Sequence, residues 1–137
     1  MNKEKIAFIP RQYLAVIAVL LAIMMSVLDG TIMNIALPTL AHDFDVTPST
    51  AIWIVNAYQL VITMTLLSFA SLGDIYGYRR IFLIGISIFV GASLACTLST
   101  SFWMLTAARV IQGFGAACVM SVNTALIRLI YPPQILG

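Results

Sequence analysis

Charge is what this sequence has least of. Among 137 residues there are seven Lys or Arg, five Asp or Glu and one His, so 9% are charged. An ordinary soluble domain carries roughly a quarter. A soluble chain this small has much surface for its volume and needs polar residues to cover it, so the shortage argues against that class. The net charge of +2 is too weak a bias for nucleic acid, and no basic cluster with interleaved aromatics is present. Cysteine is scarce too. Cys96 and Cys118 both sit in apolar stretches, with no neighbour at metal-ligand spacing, and say little about redox compartment. No nucleophile, metal or phosphate-loop constellation supports an enzyme, and no cofactor or metal is implied.

What the sequence does have is apolar residues: 61% of the chain, with a mean hydropathy of +1.03. These numbers suit a protein whose solvent is lipid. A spanning helix needs about 20 mainly apolar residues. Four segments qualify, over residues 12–36, 50–72, 80–98 and 102–122. The fold class is therefore an all-α membrane protein with four transmembrane helices. Residues 1–11 form an N-terminal segment and 123–137 a tail on the same side. Lys3 and Lys5 before an apolar run raise the option of a signal peptide. The run is long, and Leu28-Asp29-Gly30 makes a poor cleavage site, so the first helix reads as retained. Short connections separate the spans. Pro48, Ser49 and Thr50 suit a helix start. Trp53 and Trp103 lie near one predicted membrane surface, where aromatic side chains with a polar handle are favoured.

The basic residues give a direction. Lys3, Lys5 and Arg11 precede span one, Arg79 and Arg80 separate spans two and three, and Arg128 follows span four. The other side has His42, Asp43 and Asp45 but no Lys or Arg. By the positive-inside rule both termini are cytoplasmic. The expected lipid partner is a cytoplasmic (inner) membrane, crossed several times. Six of the seven basic residues obey the rule; the seventh, Arg109, is inside a span.

Arg109 and Asp29 are the informative residues. A charge at mid-membrane costs roughly 3 kcal/mol on insertion scales, and such residues usually face protein or a water-filled cavity. Asp29 lies about 16 residues beyond the start of span one, roughly 24 Å up a core of ~30 Å. Arg109 lies about six residues below the outer end of span four, roughly 9 Å down. Both charges fall in the outer half at similar depth, where they can pair or share a polar cavity. The competing reading has Asp29 hydrated near the surface and Arg109 snorkelling outward. Low dielectric favours the neutral form of an acid, whereas a nearby cation favours the charged form. Such a pair can exchange a salt bridge for a proton.

Other positions read as packing. Met33, not Asn34, shares the stripe of Asp29. Asn34 and Pro38 suit the end of the first helix. Asn56, Gln59 and Thr63 make a polar stripe on span two, read as helix glue or as a cavity wall. Arg109, Gly113 and Ala117 recur every four residues, so small side chains let another backbone approach the arginine, and Gln112 extends its polar side. Gly85 and Gly91 are six apart and form no small-residue motif. Met24, Met25 and Met120 read as packing. In "LGDIYGYRR", Gly73 and Gly77 permit a tight turn, and Asp74 is placed to cap a helix or to pair with Arg79 or Arg80. That loop reads as a topology signal, as a latch, or as both.

Three stretches carry a resemblance. "LDGTIMNIALPTL" resembles the first-helix motif of the fourteen-helix drug:proton antiporter family of the major facilitator superfamily, with Asp29, Asn34 and Pro38 in place. "SLGDIYGYRRIFLIG" is similar to the loop motif between helices two and three, matching at Leu72, Gly73, Asp74, Gly77, Arg79 and Arg80. "LTAARVIQGFGAA" is similar to the fourth-helix motif at Arg109, Gln112 and Gly113. The resemblance covers nearly the whole chain. It implies gating for Asp74 and the loop arginines, and proton coupling or cavity electrostatics for Asp29, Arg109 and Gln112. Ala70 replaces the usual first glycine of the loop motif, and Ile75 and Tyr78 stand where the family often has arginine, which implies a weaker or differently partnered latch.

Members of that family have twelve or fourteen spans, built as repeated units around a midplane site. The expectation is therefore an N-terminal piece of a proton-coupled multidrug exporter, ending before a fifth helix and inactive alone. Its partners would be protons, small amphipathic or cationic compounds, and a missing C-terminal half. The alternative is a small self-associating membrane protein, a homo-oligomer that acts as a structural or regulatory subunit or as a minimal exporter.

Overall fold

The computed structural model describes the backbone of residues 3–130 and the side chains of residues 13–123 and 125. The side chains of Lys3, Lys5, Arg11 and Arg128, and the tail from residue 131, lie outside the described residues. Four helices follow one another: α1 (Lys3–Asp43), α2 (Pro48–Tyr76), α3 (Tyr78–Thr97) and α4 (Phe102–Ile130). Each is long and apolar enough to cross a membrane.

The helices run past the ends suggested by hydropathy. Helix α1 does not stop at Ala36 or turn at Pro38; it continues to Asp43. Pro38 removes one donor, that to the carbonyl of Asn34, and membrane helices tolerate that loss. Helix α4 continues to Ile130, so the first part of the predicted tail is helical. Hydroxyls inside the helices bond to the preceding turn, as in Ser26 Oγ to the Ala22 carbonyl at 3.0 Å and Thr31 Oγ1 to the Val27 carbonyl at 2.9 Å. That satisfies them without water.

The α1–α2 turn is closed by backbone bonds from Phe44 to Leu40 and from Val46 to Ala41, both 3.0 Å, with Asp45 at φ 51°. Aspartate tolerates that left-handed conformation better than most residues. Thr47 then caps α2 by accepting from the Thr50 amide at 3.2 Å, with Pro48 in the first turn. Proline fits there because its absent N–H had no helical partner.

The predicted α2–α3 loop is nearly all helix. Only Gly77 interrupts it, at φ 92° and ψ 131°, a conformation that an L side chain rarely adopts. Gly73 is not a turn residue. It is buried in α2, and a Cβ there would meet the Tyr78 ring at 2.8 Å.

Helix α4 is the centre of the unit, with 67% of its span buried against 11% for α1. It packs on α2 and α3 through small residues. A Cβ on Gly115 would lie 2.6 Å from the Phe89 amide nitrogen, and one on Gly85 would lie 2.6 Å from Cys118 Cβ. Gly85 therefore faces Gly115 across the α3–α4 crossing, while Gly91 has open space around it. Buried side chains form three clusters along the axis: Ile81, Phe82 and Val122 at one end, Tyr58, Phe89 and Ala117 in the middle, and Ile54, Phe102 and Leu105 at the other.

Candidate functional site

The middle cluster and the cluster of Ile54, Phe102 and Leu105 flank a polar group to which all four helices contribute. Arg109, on α4, is 1% exposed, and so is Gln112 one turn later. Arg109 Nη1 donates to Asp29 Oδ2 of α1 at 2.8 Å and to Gln112 Oε1 at 2.7 Å. Gln112 Nε2 donates to Asp29 Oδ1 at 3.0 Å, closing a ring of three side chains. From α3, Cys96 Sγ reaches Gln112 Oε1 at 3.6 Å. From α2, the ring of Tyr58 lies 4.3 Å from the Arg109 guanidinium carbon.

Each element delivers its residue for a local reason. Gly113 brings α2 close: a Cβ there would stand 3.0 Å from the Tyr58 carbonyl oxygen. That approach sets the Tyr58 ring against the guanidinium. Ala117 is fully buried beside Tyr58 and Phe89. The apolar series Ile54, Tyr58 and Ile62 turns that face of α2 inward.

The energetics favour keeping the pair together. An ion held over an aromatic face gains about 2 kcal/mol when desolvated. Removing one member of a buried pair costs about 3–5 kcal/mol, because it strands the other charge. Asp29 is the more open partner, with its side chain 18% exposed against 1% for Arg109. Arg109 Nε has no hydrogen-bond partner among the described residues.

Other predicted residues fall elsewhere. Asn34 and Pro38 are exposed and border a gap of about 380 Å³ between α1 and α2, away from tight packing. Asn56, Gln59 and Thr63 face away from the other three helices, so they do not glue them together. Their stripe lies opposite the buried Ile54–Tyr58–Ile62 series. Asp74 accepts a hydrogen bond from the Tyr78 hydroxyl. It pairs with neither Arg79 nor Arg80 among the described residues, and it does not cap α3. The helix continues through Asp74, which keeps its carboxylate one turn from Tyr78. Gly73, Asp74, Gly77, Arg79 and Arg80 still share one end of the α2–α3 pair.

The sequence reading missed Tyr58, Cys96 and Gly115. The four-residue spacing of Ile54, Tyr58 and Ile62 held a signal for the first. Cys96 gave none, being one apolar residue among many. Gly115, two positions after Gly113, belongs to a second small face that only the α3 crossing reveals.

Comparison with known proteins agrees with this architecture. Residues 19–137 match the model of the Major Facilitator Superfamily. The chain is 57% identical over 129 residues to the uncharacterized transporter YebQ of Escherichia coli, covering 94% of this chain and 28% of that protein. It is 36% identical over 122 residues to the riboflavin transporter RibZ of Clostridioides difficile, covering 89% of this chain and 27% of the relative. It is 42% identical over 123 residues to the drug efflux pump JefA of Mycobacterium tuberculosis, covering 90% and 24%. No solved structure matches. The chain thus spans roughly a quarter of the length of these relatives. A family match over most of the chain, four helices fit to cross a membrane, and relatives that are transporters lead to one assignment: this is a multi-pass membrane protein that belongs to the Major Facilitator Superfamily.

Proposed function

We propose that this chain supplies the N-terminal, proton-handling part of a drug:proton antiporter that exports small amphipathic or cationic compounds and is inactive without the rest of the assembly. The observation that carries this reading is the Asp29–Arg109–Gln112 ring, a carboxylate and a guanidinium held inside the protein. Protonation of Asp29 removes its charge and weakens its bond to Arg109. Gln112 and the Tyr58 ring then hold the cation, so the proton is taken up without expelling the arginine. Substrate and proton compete through the same electrostatics. The name of one relative, a drug efflux pump, supports export, and that of another, a riboflavin transporter, supports varied organic compounds as cargo.

In this reading both termini are cytoplasmic, in the cytoplasmic membrane. Gly77 is the hinge of a gate in which Asp74 and the exposed Arg79 and Arg80 meet the other half of the transporter. The test is reconstitution in liposomes of this chain together with the remaining segment of the 57%-identical relative. Substrate-driven proton flux should be lost in the Asp29→Asn variant. Undiminished proton flux in that variant would overturn the reading.

A further inference from the structure

The ring of Asp29, Arg109 and Gln112 has a neighbour on α3 that the proton reading leaves unused. Gln112 Oε1 receives two contacts, from Arg109 Nη1 at 2.7 Å and from Cys96 Sγ at 3.6 Å. A guanidinium cannot accept a hydrogen bond, so the amide atom beside Nη1 has to be the oxygen. The thiol next to that oxygen is therefore a donor, at a distance that the larger radius of sulfur allows. The other end of the amide, Nε2, is left to face Asp29 Oδ1 at 3.0 Å.

A glutamine amide turns about a broad, roughly two-fold torsion, so its direction is set by what surrounds it. A half-turn here would put the amide N–H groups against the guanidinium and the thiol proton, and the oxygen against the carboxylate. The present direction suits a charged Asp29, because Arg109 and Gln112 both offer it N–H groups. A protonated Asp29 needs an acceptor instead, and within the ring only the turned amide supplies one. Cysteine suits the position on α3. The hydroxyls of Thr97 and Ser99 donate to their own helix, at the Ser93 carbonyl (3.1 Å) and the Ala95 carbonyl (2.8 Å). A thiol is a weaker donor that competes less for the backbone, and Cys96 reaches across to α4.

We infer that Cys96 is a positioning residue: with Arg109, its thiol holds the Gln112 amide as a donor toward Asp29, and a proton arriving at Asp29 has to turn that amide against it. The proton step rests on the reading of Asp29 as proton carrier, whereas the place of the thiol in the ring does not. The groups that face Asp29 are Arg109 and Gln112 from α4, Tyr58 from α2 and Cys96 from α3.

The S–H stretch reads this directly. It lies in an infrared window clear of other protein bands and falls in frequency when the thiol donates. The chain has two cysteines, both free thiols. Cys118 is buried against Gly85, and its thiol donates to no group among the described residues. Spectra are taken of the full chain in lipid vesicles, with Cys96→Val and Cys118→Ala to assign the two bands. The Cys96 band should lie below that of Cys118. Asp29→Asn should move it toward the Cys118 position, since loss of the carboxylate frees the amide to leave the thiol. A cysteine that only fills space would not respond to that change. A Cys96 band at or above the Cys118 frequency in the parent overturns the inference, whether or not Asp29→Asn folds. So does a Cys96 band that stays in place in a folded Asp29→Asn chain. Acidifying the parent should shift the band as Asp29→Asn does. A shift with Asp29→Asn and none with acid would keep Cys96 in the ring and remove only the proton reading.

Discussion

Arg109 Nη1 and Asp29 Oδ2 are 2.8 Å apart, although 80 residues of chain separate them. The same nitrogen also holds Gln112 Oε1. A planar guanidinium can donate twice and still lie on an aromatic ring. An ammonium keeps the charge but loses the planar stacking and part of the fork. Arg109→Lys should therefore lower the stability of the folded chain by about 1–3 kcal/mol, read as an earlier transition in an SDS titration from detergent micelles. A transition that does not move would show that the guanidinium geometry is immaterial.

Tyr58 separates two contributions. Its ring lies against Arg109, and no hydrogen bond by its hydroxyl enters the ring of three side chains. Tyr58→Phe should stay within about 0.5 kcal/mol of the parent, whereas Tyr58→Leu should lose about 1–2 kcal/mol of cation–π stabilisation along with packing. The same titration reads both. Equal losses for the two variants would assign the contribution to the hydroxyl.

The α3–α4 crossing depends on two glycines. A Cβ at Gly115 would fall 2.6 Å from backbone that cannot yield, while one at Gly91 would meet nothing within 4 Å. Gly115→Leu should abolish folded protein by size-exclusion chromatography, and Gly91→Leu should behave as the parent. Membrane helices associate through such close packing, since lipid offers no hydrophobic drive.

Gly77 joins α2 to α3 at φ 92°. Gly77→Ala has space for its methyl group, so its cost is conformational, about 1–3 kcal/mol. That is smaller than the Gly115 effect although Gly77 is the exposed turn. Circular dichroism melts of the two variants should rank them in that order.

The four spans, the polar pair and the membrane class were legible because lipid imposes length, apolarity and scarcity of charge. Depth put both charges at a similar level and left pairing or a shared cavity open; the 2.8 Å bond between them decides for pairing. Boundaries were less legible: hydropathy falls off before the helix ends, so α1 runs on to Asp43 and α4 to Ile130. The α2–α3 loop misled because a string of polar and glycine residues reads as coil, yet one positive φ at Gly77 makes the whole turn. The Asn56–Gln59–Thr63 stripe misled for another reason. Periodicity gives a face but not what it faces, and here the apolar Ile54–Tyr58–Ile62 face takes the contact with α4.

The account stands on Asp29 and Arg109 forming one mutually neutralising unit inside the protein, and a double-mutant cycle tests this most directly. SDS titrations of the parent, Asp29→Asn, Arg109→Gln and the combined variant give four stabilities. The predicted result is strong non-additivity, with the combined variant more stable than Arg109→Gln, since the second change removes a stranded charge worth about 3–5 kcal/mol. Simple addition of the two single losses would contradict it and leave the two charges as independent neighbours.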